Sequence, residues 1–172
     1  MTVERVLFTQ EQIAERIREI AAEIDAKYQG RELKLIAVLK GSVFFLTGLA
    51  QAVQTPVKID FLAISQFGSA QPGMVRIAKD LDEPIHGEDV LLVEDIVDTG
   101  FTTSFLLRTL AERGPRSIAV CAMLDRSVRR IAQVPVEFRC FEIPDRFVVG
   151  FGLDHKQLYR NLPYIAVMNP GP

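Results

Sequence analysis

A chain of 172 residues with 48% hydrophobic and 24% charged residues suits one folded domain with an ample core. A net charge of −2 gives no broad pull toward nucleic acid, and no apolar run reaches the ~18 residues that a membrane helix needs. The opening Met1-Thr2-Val3-Glu4-Arg5 carries no signal-peptide pattern, and the two cysteines, Cys121 and Cys140, lie in apolar strand-like runs without Cys-x-x-Cys spacing, which reads as free buried thiols of a cytoplasmic protein.

Along the chain, Thr9 and Gln12 fit a capping box, and Ile13, Ile17, Ile20, Ala21, Ile24 and Tyr28 follow at helical spacing until Gly30. Residues 33–39 read as a strand. Ser42 stands where a cap would for a second helix carrying Val43, Phe44, Leu46, Leu49 and Val53, closed before Pro56. A strand over 57–64 leads into 65–73, rich in Gly, Ser, Gln and Pro, which reads as a mobile loop; 74–79 alternates as a further strand. The short apolar run 90–93 has the look of a buried parallel strand. Phe105, Leu106, Leu107 and Leu110 then mark a helix that Gly114-Pro115 stops, and 117–124 is another strand. From 136 to 168, short strands are broken by Pro144, Gly150, Gly152 and Pro163. Strands alternating with helices predict a single α/β domain over 1–172, with a mainly parallel sheet flanked by helices.

In an open α/β sheet, ligands gather beyond the carboxyl ends of the strands, and Lys40, Ser65, Glu94, Asp95 and Asp125 all fall at predicted strand ends. The densest stretch joins Glu94 and Asp95 to Asp98 and then to Thr99-Gly100-Phe101-Thr102, where a helix begins. Such a strand-to-helix turn presents free backbone N–H groups to an anion, and Gly100 permits close approach. Carboxylates beside a phosphate would repel it unless the ligand also brought sugar hydroxyls or a divalent cation, which ionised carboxylates suit as acceptors. A sugar phosphate meets both demands. His86 and His155 form no metal or triad constellation, and Gly150-Phe151-Gly152 is no dinucleotide fingerprint.

Val93-Glu94-Asp95-Ile96-Val97-Asp98-Thr99-Gly100-Phe101-Thr102 resembles the signature of type I phosphoribosyltransferases, and the acid at 98 points to their hypoxanthine-guanine branch. Leu39-Lys40-Gly41-Ser42, the stretch 75–82, and 141–150 running on through Leu153-Asp154 are similar to the same branch, so the likeness covers nearly the whole chain. The resemblance implies the type I phosphoribosyltransferase fold, with a small hood built largely by the C-terminal segment, from about 136 to 172. It implies phosphoribosyl diphosphate and a purine base as substrates, Mg²⁺ as cofactor, no nucleic acid or membrane partner, and a homodimer or homotetramer. Glu94 and Asp95 would hold the ribose hydroxyls directly or through Mg²⁺, Asp98 would face N7 of the purine as the catalytic group, and Thr99, Gly100, Phe101 and Thr102 would wrap the 5-phosphate. Lys40 and Gly41, in a loop where the family has a cis peptide, and Arg160 would meet the pyrophosphate. Phe147 would stack on the base, Val148 would offer backbone atoms to it, and Asp154 would be a direct Mg²⁺ ligand beside Glu94 and Asp95.

This chain departs from the family in three places. Arg126 stands where a lysine usually recognises the exocyclic O6; it would take over that role and brace against a strand-end carboxylate such as Asp125. Gln66 and Phe67 replace a serine and a tyrosine in the mobile loop, and Phe101 can add no charge to the phosphate turn. Two alternatives stand beside hypoxanthine-guanine transfer: preference for xanthine, and an RNA-binding regulator of the same fold, which should show a basic face.

Overall fold

The computed structural model describes residues 2–66 and 75–169. Its elements run β1 (Thr2–Phe8), α1 (Gln10–Lys27), β2 (Leu33–Leu39), α2 (Ser42–Ala52), β3 (Val57–Gln66), β4 (Val75–Lys79), β5 (Asp89–Val97), α3 (Phe101–Ala111), β6 (Ser117–Asp125), a 3₁₀ turn (Ser127–Arg129), β7 (Val136–Glu142), β8 (Val148–Val149) and β9 (Ile165–Asn169). A six-stranded sheet has the order β4-β3-β2-β5-β6-β7 and a three-stranded sheet the order β1-β9-β8. In the larger sheet β2, β3, β5, β6 and β7 pair in parallel, and β4 lies antiparallel to β3.

Central strands covered on both faces need apolar residues throughout, and β2 and β5 have them. Leu35, Ala37, Leu91 and Val93 point into one cluster with Ile13, Ile20, Phe45 and Leu49 of α1 and α2. Ile36, Val38, Val90 and Leu92 point into a second cluster with Leu106 and Leu110 of α3. Alternate residues of one strand thus feed opposite layers.

The cap of α1 is as expected: Thr9 Oγ1 accepts from Gln12 N–H and Gln12 Oε1 accepts from Thr9 N–H. The cap of α2 differs. Gly41 occupies the N-cap and Ser42 is inside the helix, where its hydroxyl donates to the Val38 carbonyl. In the turn just before it, a cis peptide joins Leu39 and Lys40.

The C-terminal segment supplies two of the three strands of the smaller sheet. The third is β1, which an N-terminal run of mixed polar and apolar residues did not announce; it pairs antiparallel with β9. Val136–Glu142, expected within the hood, is instead the edge strand of the main sheet, because its alternating pattern lets Phe138 and Cys140 cover the α1 layer. Ser65 and Gln66 of the expected loop continue β3, paired with Arg76 and Val75; residues 67–73 lie outside the described residues.

Candidate active site

Strand β5 runs on through Glu94 and Asp95 to Val97, so the two acids lie within the strand and not at its end. Their side chains therefore leave on opposite faces. Glu94 follows Leu92 toward α3, where it accepts from Thr103 Oγ1 at 3.4 Å. Asp95 follows Val93 toward Gly41: a Cβ placed on Gly41 would collide with Asp95 Oδ2 and come within 3.2 Å of the Gly152 carbonyl. Any side chain there would have to displace the Asp95 carboxylate. Burial pushes the Glu94 carboxyl up to about 8, with the Asp95 charge adding to the effect. Burial likewise raises Asp95 to about 6, against the opposing pull of the Ile96 N–H and Arg160. Glu94 is buried with no cation beside it among the described residues, and Asp95 has only the pull of Arg160, a condition that suits a hard cation or a diol brought by a ligand. Among the described residues no three acidic, histidine or cysteine side chains form a metal cage.

A cavity of about 220 Å³ opens beside Glu94 and Asp95, lined further by Asp98, Thr99, Gly100 and Thr102. Gly100 caps α3 with φ 86°, a left-handed conformation that favours glycine. No side chain caps this helix, and its first backbone bond runs from Ser104 N–H to the Gly100 carbonyl. The amides of Phe101, Thr102 and Thr103 are therefore unspent donors at a helix N-terminus. Phe101 is 57% exposed and does not line the cavity. The turn is pinned from behind: Thr99 C=O accepts from Ile131 and Ala132, and Arg130 donates to the Asp98 carbonyl at 3.0 Å and to the Asp125 carboxylate.

Arg126 is buried, 6% exposed, and turns into the site. Its Nη1 lies 3.3 Å from Asp98 Oδ2 and its Nη2 donates to the Arg146 carbonyl at 2.7 Å. The bracing carboxylate is Asp98. Asp125, the expected partner, is already held by Arg130 and Arg139. Arg129 pairs with Asp98 at 3.5 Å and Asp145 at 3.8 Å. All three arginines of this cluster are thus ion-paired and build no basic face. Asp98 Oδ1 and Arg126 Nε remain buried without a hydrogen-bond partner. One is an acceptor and the other a donor.

Phe147 and Val148 stand away from the phosphate cavity. Phe147 is 44% exposed and meets His155 edge-on with ring centroids 5.7 Å apart; Val148 is buried in β8 opposite Val167. A third group gathers around Arg160, which bonds the Gly152 carbonyl at 2.6 Å and Asp154 Oδ1 at 2.7 Å. Lys40 joins it through Gln157 at 3.5 Å. Sequence reasoning passed over Ile96, Thr103 and Gln157. The first two line the cavity and could have been found from their places inside the motif; Gln157 sits in a turn without a local signature.

The sequence matches the phosphoribosyl transferase domain family over residues 6–156. It is 47% identical to a hypoxanthine-guanine phosphoribosyltransferase of Mycobacterium avium, across 98% of this chain and 87% of the relative. It is 46% identical to a hypoxanthine phosphoribosyltransferase of Salmonella typhimurium, across 96% and 94%. The fold superposes on the crystal structure of a hypoxanthine phosphoribosyltransferase from Staphylococcus aureus with a TM-score of 0.93 at 39% identity, covering 98% of this chain and 92% of that one.

Proposed function

The chain belongs to the phosphoribosyl transferase family, in its hypoxanthine-guanine branch, and from that premise we propose how the three groups of residues divide the work. The reaction is one of purine salvage: the 5-phosphoribosyl group passes from phosphoribosyl diphosphate to N9 of hypoxanthine or guanine, giving IMP or GMP and pyrophosphate. The α3 turn, with the amides of 101–103 and the Thr102 hydroxyl, receives the 5-phosphate. The ribose hydroxyls face Glu94 and Asp95. As the N9–C1 bond forms and the bond from C1 to the diphosphate oxygen breaks, the N7 proton passes to Asp98, a role typically worth ~10²–10⁴-fold. Lys40 and Arg160 take the charge that develops on the departing diphosphate.

The observation that carries this reading is the unpaired pair, Asp98 Oδ1 and Arg126 Nε. Orphaned buried polar atoms are costly. A 6-oxopurine offers an N7–H donor beside an O6 acceptor, the complement of both atoms. Phe147 supplies the stacking face and the Val148 backbone borders the base.

Mg²⁺ fits the donor set in the way this ion is usually held, by one or two carboxylates together with substrate oxygens. Asp154 and Asp95 would hold it, with Glu94 on the ribose side, and when bound it neutralises diphosphate charge. No helix among the described residues is long and apolar enough to cross a membrane. The two cysteines are buried free thiols, in keeping with a cytoplasmic location. Self-association as a homodimer or homotetramer is the assembly expected from membership of this family.

The test is direct. The protein is incubated with phosphoribosyl diphosphate, Mg²⁺ and each of hypoxanthine, guanine, xanthine, adenine and uracil, and nucleotide is measured. IMP and GMP are expected; xanthosine monophosphate as the main product would move the assignment to xanthine, and full turnover in excess EDTA would remove the metal.

A further inference from the structure

Residues 155–158 close a two-residue hairpin: His155 N–H donates to the Leu158 carbonyl at 3.1 Å and Leu158 N–H returns to the His155 carbonyl at 3.0 Å. Its central residues, Lys156 and Gln157, have φ of 52° and 68°. That is the left-handed pair a type I′ turn demands and that Asn-Gly normally supplies. Left-handed backbone is unfavourable for residues bearing a Cβ. Such strain persists where surrounding contacts over-determine it, and it gathers at functional sites.

The contacts are those of Gln157. Its N–H donates to Asp154 Oδ2 at 2.8 Å. Its Oε1 accepts from Lys40 Nζ at 3.5 Å and from Arg160 Nη2 at 3.4 Å. One neutral oxygen thus joins two cations that come from different parts of the fold. We propose that Gln157 is a positioning residue, whose side-chain amide aims Lys40 and Arg160 at one point, where an oxygen of the substrate's diphosphate comes to lie. This rests on the reading of Lys40 and Arg160 as the diphosphate-binding cations. The residue type suits the task. An amide carbonyl accepts from both cations without neutralising either, and ammonium and guanidinium keep further donors for the ligand. A carboxylate there would add a second negative charge to that of Asp154, already paired with Arg160 at 2.7 Å, and would repel the diphosphate. Glycine, the residue the backbone would prefer, would leave them unaimed.

Calorimetric titration with magnesium pyrophosphate tests this on the wild-type chain and on Gln157→Ala, Gln157→Gly and Gln157→Glu, alongside the KM for hypoxanthine and thermal melting. Both the alanine and glycine variants should bind about three- to tenfold more weakly, the scale of a lost modest hydrogen-bond pair, while the KM for hypoxanthine stays put. The glutamate variant should bind more weakly still. The glycine variant should melt at or above the wild-type temperature, because its backbone is relieved, so affinity and stability would part company. Wild-type affinity in the alanine and glycine variants overturns the proposal. So does a loss that follows the melting temperature and moves the hypoxanthine KM equally, for then the turn is only structural. If the wild-type chain binds no magnesium pyrophosphate, the assignment of Lys40 and Arg160 falls and takes this proposal with it, a result told apart because no variant then differs.

Discussion

Asp89 and Glu94 lie on one strand, β5, and both are buried, yet the fold treats them in opposite ways. Asp89, at the amino end of the sheet, accepts from Ser117 at 2.6 Å and from Arg116, and pairs with Arg31 at 3.3 Å. The Arg116 guanidinium holds its carboxyl below the usual range in spite of burial. Nearby, Asp60 accepts from the amides of Phe61 and Asp82, and Lys34 Nζ stands 3.5–3.7 Å from the carboxylates of Asp60, Glu83 and Glu88. A cavity of about 330 Å³ lies at this end, larger than the one beside Glu94; its walls are charges ion-paired with one another, although Lys34 Nζ and Glu88 Oε2 make no hydrogen bond. At the carboxyl end Glu94 is met by one hydroxyl, at 3.4 Å, and its carboxyl rises to about 8. Size does not single out the working end. Uncompensated charge does, since a fold that leaves buried acids unmatched has left their compensation to a ligand.

If that contrast is right, changes at the two ends should fail in different ways. The largest effect is expected from Asp98→Asn, which should lower kcat by roughly 10²–10⁴-fold. The affinity for phosphoribosyl diphosphate and the melting temperature should change little, because asparagine still offers Arg126 an acceptor. A normal kcat would reduce Asp98 to a brace. At the other end, Asp89→Ala strands Ser117, Arg31 and Arg116, and should cost about 1–3 kcal/mol of stability, read by denaturant unfolding. Its kcat/KM per folded molecule should match the wild type; loss of activity without loss of stability would erase the distinction between the ends.

Arg126→Ala probes the one point where the working end is internally paired. Removing the donor to O6 should raise the KM for hypoxanthine and guanine about tenfold, a lost bond to a charged group. The gap to adenine, which presents a donor at that position, should narrow. Arg126→Lys should keep most activity, though a point-like ammonium cannot brace both Asp98 and the Arg146 carbonyl. If alanine leaves both bases unaffected, the O6 donor lies elsewhere.

A further effect concerns pH. Glu94 is raised in the folded state from 4.5 to about 8, so the folded chain holds a proton that the unfolded chain has released. Wild-type stability should therefore fall as pH rises through that window. Asp89 is lowered, so its contribution is present above the ordinary aspartate range and lost as pH falls. Glu94→Gln should remove the part of the decline between about pH 6 and 8, leave the part below about 6 that Asp95 contributes, and keep the acid limb intact, while weakening substrate binding. Parallel melting curves for variant and wild type across that range would refute the assignment of the slope to Glu94.

The site was more legible in the sequence than the fold that carries it. Glu94 through Thr102 occupy consecutive positions, so a single stretch displays both acids, the Asp98 carboxylate and the phosphate turn. Lys40 was flagged by its place at a strand end, but its role, like Asp154 and Arg160 themselves, was reached only by resemblance, for a lysine or aspartate beside a turn has no chemistry of its own until it meets a partner. Gln157 escaped notice because its role depends on an oxygen set between Lys40 and Arg160, and on backbone angles that neither Lys156 nor Gln157 advertises.

What the sequence determined by itself was local and periodic. Thr9 and Gln12 can close a capping box on their own, residues 33–39 read as a strand, and Gly100 ahead of a helical pattern marks a turn suited to an anion. What only the tertiary structure decided was every choice among distant partners. β1 joined β9 although the two are separated by nearly the whole chain, and Val136–Glu142 joined the main sheet instead of the hood. Arg126 reached Asp98 because Arg130 and Arg139 had already taken Asp125. Glu94 and Asp95, neighbours in sequence, parted to opposite faces once β5 ran through them. The reason is common to all four: such pairings depend on which groups remain unsatisfied after the rest of the fold has closed, and that is a property of the assembled layers and not of any short stretch of residues.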